Sequence, residues 1–386
     1  MDERQIGAER LRGIDLLRGL VMVLMVIDHV RVFSGISAGG TTPDLFFTRW
    51  ITHFCAPVFV FLAGTSAWLY SRRHADLSRY LLTRGLLLIV LEFSVIRLAW
   101  TFNLDYAHYA LAGVIWVIGI SMIALALITR LPMRAVLVFG LVVVGAHNLF
   151  DAFLGARIGE LLDSPWAPLW KLLYLGPAGG PIGIGSLQLH VLYSFVPWVG
   201  VMALGFAFAP LLMLPATQRD RWCRSLGFAA IALFIVLRAA QAYGDPRGYG
   251  DLGHLPPWLA FVATTKYPAS LQFLLMTLGP ALALLPWFER RRGPISDALI
   301  VIGREPLLFY LLHIPLVHAL AIAVSWLRAG QVDPWLFANH PMGAPPPPDA
   351  YVWPLWLLYL VFAIATPLLY LACKDYARRR RTVRMQ

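Results

Sequence analysis

Ten apolar runs, each near the ~20 residues that a helix needs to cross the hydrocarbon of a bilayer, occupy most of this 386-residue chain. Their approximate cores are residues 16–33, 50–70, 81–102, 110–129, 132–150, 188–214, 225–242, 266–288, 298–326 and 351–373. A mean hydropathy of +0.67 with 14% charged residues leaves too little polar surface to cover a soluble fold of this size. Lipid offers the backbone no hydrogen-bond partners, so each span satisfies its own amides as a helix. The expected fold class is all-α, a polytopic integral membrane bundle of about ten transmembrane helices. Neither an internal repeat nor a long linker divides the chain, so residues 1–386 are expected to form one domain. The longest connection, 151–187, holds a glycine-rich run from Gly176 to Gly185 without the Lys and Ser/Thr of a phosphate loop. It reads as a flexible or re-entrant loop.

The formal net charge of +11 comes from basic residues in short clusters between the apolar runs. No basic, aromatic-interleaved patch stands among them, so a nucleic-acid partner is not expected. Instead the clusters alternate with the spans. With the N-terminus inside, every inner connection is basic: Arg72, Arg73, Arg79 and Arg84; Arg130 and Arg134; Arg219, Arg221 and Arg224; Arg290 to Arg292; Lys374 with Arg378 to Arg381. Arg31, Arg49, Arg157, Lys171, Arg247, Lys266 and Arg328 fall outside, and acidic residues divide almost evenly between the sides. The positive-inside rule therefore places both termini in the cytoplasm, with 1–15 as an N-terminal segment and 374–386 as a basic tail. The first span keeps Asp15, Arg18, Asp28 and His29 and lacks a small-residue cleavage site, unlike a cleavable signal peptide. Cys55 falls near the outer face and Cys223 and Cys373 near the inner one, so Cys55 can pair with neither.

Ionisable groups inside a span are costly, and each is a candidate for function. On the first helix Arg18, Met22, Met25 and His29 fall along one stripe. The eleven residues from Arg18 to His29 turn through about 1100°, within about 20° of eclipsed, and separate the two by roughly 16 Å. A cation near the cytoplasm is thus joined to an imidazole near the outer face by soft thioethers, an arrangement suited to an anionic thioester ligand. Asp15 is three residues from Arg18 and can pair with it. The plainer alternative is that Arg18 snorkels to headgroups and His29 caps the helix. Asp28 projects about 100° from its neighbour His29 and cannot simply orient that ring; it reads as structural or substrate-contacting. In the ninth span Tyr310 and His313 share a face three residues apart, beyond Arg304, and a buried imidazole there needs a partner. A structural histidine bonded to a carbonyl is the alternative for His313. His318 lies about 140° further round, so the two histidines do not make a single-face metal pair. Glu92 and Arg97 in the third span read as structural. Of ten histidines only His74 is cytoplasmic, which places proton chemistry toward the outer face. No HExxH, CxxC or comparable spacing supports a metal site.

The run Arg12-Gly13-Ile14-Asp15-Leu16-Leu17-Arg18-Gly19-Leu20, with His29 eleven residues past Arg18, resembles the first-helix signature of transmembrane acyltransferases. Within that group the chain is most similar to bacterial relatives of the heparan-α-glucosaminide N-acetyltransferase catalytic domain. Pro57 to Ser66 resembles that family's Pro-x-Phe-Val-Phe-x-x-Gly-Ser/Thr-Ser segment, Pro197 to Met202 its sixth helix, and Gly303, Tyr310 and His313 its Gly-x6-Tyr-x2-His pattern. The resemblance covers nearly the whole chain. It implies a multi-pass enzyme of a bacterial-type cytoplasmic membrane that takes an acetyl group from cytoplasmic acetyl-CoA to a glycan or aminosugar acceptor beyond it. His29 sits where the broader acyltransferase families place a catalytic histidine. Arg18, Arg304 and Asp15 would then serve the coenzyme A head, and Met22 and Met25 its pantetheine arm. Tyr310 and His313 would donate to the developing oxyanion or hold the acceptor. A homodimer in the lipid bilayer is plausible on the resemblance alone. The competing reading is a membrane transporter or channel without acyl transfer, although no inverted repeat marks the halves. A haem protein with His29, His53, His190 or His313 as axial ligands has no support beyond the histidines themselves.

Overall fold

The computed structural model describes residues 11–39, 42–248, 250 and 255–385, without the side chains of 381 and 383–385. Most of the expected cytoplasmic segment 1–15, residues 1–10, lies outside the described residues, as does the last residue of the tail. In chain order the elements are helices α1 (Arg12–Phe33), α2 (Pro43–Trp50), α3 (Cys55–Ser71), α4 (Leu77–Leu91) and α5 (Arg97–Thr101), then strand β1 (Tyr109–Ala112). Helices α6 (Val114–Ile128), α7 (Met133–Ala146), α8 (Leu149–Gly155), α9 (Ile158–Leu162) and α10 (Ala167–Trp170) precede strands β2 (Ile182–Ile184) and β3 (Leu187–Val191). The remainder is helical: α11 (Phe195–Phe208), α12 (Ala216–Ala240), α13 (Pro257–Val262), α14 (Leu271–Arg290), α15 (Pro294–Arg304), α16 (Pro306–Ala329) and α17 (Leu355–Met385).

Among the described residues six helices are long and apolar enough to cross a membrane: Pro43–Ser71, Phe195–Met213, Ala216–Ala240, Leu271–Arg290, Pro306–Ala329 and Leu355–Arg380. Met133–Ala146 with Leu149–Gly155, bent by 40°, make a seventh if they form one span. The other three apolar runs take different forms. Run 16–33 lies in α1, which is 22 residues long but carries Arg12, Asp15, Arg18, Asp28 and Arg31. Run 81–102 passes from α4 through a widened turn, Glu92–Ile96, into α5. Run 110–129 opens in β1 before the 15-residue α6. Run 298–326, expected as one helix, is broken at Glu305 (φ −121°, ψ 55°), which precedes Pro306; the proline ring disfavours helical backbone at the residue before it.

The described chain separates into two compact units. The first comprises Ala56–Ser94 and Tyr106–Pro286. Its helices meet at glycines. A Cβ on Gly64 would lie 2.0 Å from the Met202 carbonyl, and one on Gly205 would lie 1.9 Å from that of Phe61, so α3 and α11 touch backbone to backbone. The same unit holds a small sheet that an all-helical expectation lacks. Its order is β1-β3-β2, with β1 parallel to β3 (Tyr109 opposite Gln188) and β2 antiparallel to it (Ile182 opposite Leu189). The glycine-rich loop is thus partly strand. Glu92 is buried and accepts from Trp116 N at 2.8 Å, satisfying one of the orphan amides of the first turn of α6.

The second unit, Arg10–Cys55, Val95–Asp105 and Trp287–Gln386 within the described residues, is organised around α1. That helix packs against α15, α16 and α17. Against α15 the approach is as close as helices can make: a Cβ on Gly19 would lie 1.9 Å from the Leu299 carbonyl, and one on Gly303 would lie 1.9 Å from that of Asp15. Arg97, buried, donates to Thr101 Oγ1 (3.0 Å), Asn103 O (2.5 Å) and Asp105 O (2.6 Å), fixing the turn after α5. The end of α1 is tied to the segment before α17, where Tyr351 Oη donates to Phe33 O at 2.6 Å and Trp353 N to Ser34 O at 3.0 Å.

Candidate active site

Helix α1 carries polar groups near both ends of its apolar stretch. At the first, Asp15 is 2% exposed and accepts from two guanidinium groups, Arg18 Nη1 at 3.5 Å and Arg304 Nε at 3.1 Å. The glycine contact between α1 and α15 is what brings Arg304 to Asp15, 289 residues away. Arg18 Nη1 also donates to Gly303 O at 3.1 Å, a carbonyl in the last turn of α15 where the helix leaves acceptors unsatisfied and favours a cation. Arg304 is the more open of the two cations, with 32% of its side chain exposed, and among the described residues it uses only its Nε in this pair. Further ion pairs surround them: Arg12 with Asp297 at 2.7 Å and Arg380 with Glu305 at 3.5 Å. Met22 and Met25 follow along α1, both buried.

Roughly 16 Å along α1 from Arg18, His29 Nδ1 lies 2.6 Å from Nε2 of His313. The rings are offset-stacked, 4.7 Å between centres at 22°, and the Trp100 ring meets His29 edge-on at 4.8 Å. His313 is fully buried in α16, and its Nδ1 lies 2.7 Å from Tyr310 O and 3.2 Å from Phe309 O. Those two contacts assign the tautomer. A carbonyl oxygen only accepts, so Nδ1 of His313 bears the proton; Nε2 of the neutral ring is then an acceptor, and His29 must donate from its Nδ1. In neutral His29 the remaining lone pair is on Nε2. The Tyr310 ring stands edge-on to His313 at 4.9 Å and is nearly buried.

Asp28 turns away from the histidines to accept from Arg31 Nε at 3.0 Å and Arg49 Nη1 at 3.4 Å. His318 is likewise separate: its ring lies between Phe33 (4.4 Å) and Phe102 (4.0 Å), and Nδ1 faces Ala99 O at 3.1 Å. Among the described residues no group of three or more His, Cys, Asp or Glu is arranged to hold a metal. All eight residues singled out on α1, α15 and α16 thus fall in one unit, in two clusters. Three partners were beyond sequence reasoning. The contact between His29 and His313 spans 284 residues, Trp100 comes from α5, and the Gly303 carbonyl is a backbone atom. The glycines at 19 and 303 are the only local signal that α1 and α15 come together.

Six helices among the described residues are long and apolar enough to cross a bilayer, which describes an integral membrane protein, and ionisable side chains gather on α1 and the helices packed against it. The chain belongs to the heparan-α-glucosaminide N-acetyltransferase catalytic-domain family, whose profile matches residues 10–241, more than half its length. It is in general terms a membrane acetyltransferase. The matched segment includes Asp15, Arg18, Met22, Met25 and His29, whereas Arg304, Tyr310 and His313 follow it. No curated protein matches the chain.

Proposed function

We propose that the protein moves an acetyl group from cytoplasmic acetyl-CoA to a hydroxyl or amine of a sugar or aminosugar at the outer face, with His29 as the base. The observation that carries this reading is the 2.6 Å contact between His29 and His313, because it leaves the lone pair of a neutral imidazole on Nε2 of His29. The acceptor attacks the thioester carbonyl as His29 Nε2 takes its proton. A carbon–oxygen or carbon–nitrogen bond forms, the carbon–sulfur bond breaks, and the imidazolium returns the proton to the departing thiolate. His313, with one nitrogen on His29 and the other on backbone carbonyls, is the positioning residue that holds the tautomer. Tyr310 supplies a hydroxyl to the developing oxyanion or to the acceptor. At the opposite end Arg18 and Arg304 receive the phosphates of coenzyme A, for which guanidinium forks are suited. Asp15 holds the two cations together until the donor arrives, and the Met22/Met25 stripe faces the pantetheine arm.

The membrane arrangement that goes with this chemistry has ten crossings and both termini in the cytoplasm. Supporting it are the basic inner connections and the ten apolar runs, seven of which coincide with long apolar helices or the bent pair. In proteoliposomes with acetyl-CoA outside the acceptor, His29→Ala should lower acetyl transfer, or slow thioester hydrolysis where no acceptor is known, by about 10²-fold or more. A variant that retains the wild-type rate contradicts the assignment of His29.

A further inference from the structure

Rotation of a histidine ring about its Cβ–Cγ bond is broad and roughly two-fold, so the neighbours of His29 decide which of its atoms faces His313. In the orientation seen, Nδ1 lies 2.6 Å from His313 Nε2; a ring turned over would set a carbon there instead. One neutral hydrogen bond favours the first orientation by only about 2- to 13-fold. A second ring packs on the imidazole. His313 is stacked on it at 22°, whereas Trp100 stands across it at 70°, with 4.8 Å between centres. An aromatic pair adds a preference of about the same size as that hydrogen bond. Trp100 is buried, and its ring also stacks on Phe33, one turn further along α1, at 5.5 Å and 28°.

The five-residue helix α5 that carries Trp100 is fastened on both sides of it. Phe102 follows the helix at φ 44°, in the left-handed region that a residue with a side chain rarely occupies. Such a conformation persists where the surroundings over-determine it, and these cluster at functional sites. Here Arg97 donates to Thr101 Oγ1 and to the carbonyls of Asn103 and Asp105. From α16, His318 sets its Nδ1 3.1 Å from Ala99 O and its ring between those of Phe102 and Phe33. The residues flanking Trp100 are thus tied to α1 and α16, the two helices that carry the histidine pair.

We propose that Trp100 is a positioning residue for acetyl transfer: its ring, laid across His29 and Phe33, keeps Nδ1 of His29 on His313. The role in transfer rests on the reading of His29 as the base, but the orientation of the ring is measurable without any reaction. Trp100 acts through His29 alone and leaves the donor end of α1 untouched.

The test is solid-state nitrogen NMR of the full chain in proteoliposomes, with 15N-labelled histidine and the His29 signals assigned by their loss in His29→Gln. Wild type should show one protonated and one unprotonated His29 nitrogen, well separated, with the protonated one correlated to His313. In Trp100→Leu the two signals should draw together or double, and the correlation should weaken; Trp100→Phe should keep the wild-type pattern. Trp100→Met, which fills much of the space without a ring, is read in the same way if the leucine variant does not fold. In the transfer assay, or thioester hydrolysis, Trp100→Leu should lower kcat about three- to tenfold with KM for acetyl-CoA unchanged. The same change should cost little once His313 is alanine, because the two contacts act on one ring. His29 signals that are the same in wild type and in the ring-less variants, or that change equally with phenylalanine, would overturn the proposal. A His29→Ala protein with full activity would instead remove the base from His29 and leave the NMR result standing.

Discussion

A neutral imidazole has one proton for two nitrogens, and the carbonyls of Tyr310 and Phe309 hold that of His313 at Nδ1. Everything proposed for His29 depends on this, because the acceptor nitrogen left on His313 obliges His29 to point its own N–H inward. When His29 becomes cationic in the transition state the contact becomes charge-assisted and strengthens. His313→Ala should therefore lower kcat by roughly 10- to 100-fold, the loss of about 1.5–3 kcal/mol, while KM for acetyl-CoA stays close to wild type. His313→Gln offers a carbonyl oxygen to the same N–H and should recover most of the rate. Equal losses in the two variants would mean that His313 does not act through its acceptor nitrogen. Very little of this was legible beforehand. The face shared by Tyr310 and His313 follows from helical spacing, but nothing periodic in either segment records that His313 meets His29 from 284 residues away.

At the scale of elements, the glycine contact between α1 and α15 sets the proposed donor end of the site. It brings Arg304 onto Asp15 and the Gly303 carbonyl onto Arg18. Gly303→Ala would place a methyl group 1.9 Å from the Asp15 carbonyl. The helices must then part, at a cost of about 1–3 kcal/mol, and the thermal midpoint should fall along with donor affinity. Gly155→Ala, where a methyl group meets nothing within 4 Å, should leave both within experimental error. A Gly303→Ala protein as stable as the Gly155→Ala control would contradict the packing. The helices themselves were legible as apolar runs, since each must bury or face lipid along its whole length. The strands were not: Tyr109–Ala112 and Leu187–Val191 are short apolar stretches continuous with the helices that follow, and periodicity does not separate so short a strand from helix. The break at Glu305 has a signal in Pro306, but membrane helices tolerate proline, so the apolar run alone predicts one continuous helix.

For the whole molecule the basic clusters support the proposed orientation, which the helices alone leave open. Arg and Lys resist translocation, and in the proposed topology their alternation across ten runs would put the segments around Asp76 and Arg292 inside and that around Gln331 outside. Single cysteines at Asp76, Arg292 and Gln331 probe this directly, because the native Cys55, Cys223 and Cys373 are all buried. In intact cells a membrane-impermeant maleimide should label only the cysteine at 331; labelling of all three positions, or of the one at 76 or 292 alone, would refute ten crossings with both termini inside. The central claim is that one end of α1 binds an acyl-CoA donor and the other performs the transfer. Its most direct test is acetyl-CoA binding to the purified protein in detergent, measured for wild type, Arg18→Ala and His29→Ala. Wild type should bind in about the micromolar range and Arg18→Ala at least about tenfold more weakly, as expected for one lost charge-assisted contact. His29→Ala should bind like wild type yet no longer hydrolyse the thioester. If neither acetyl-CoA nor a longer acyl-CoA binds the wild-type protein, the account of α1 as the path between donor and acceptor is contradicted.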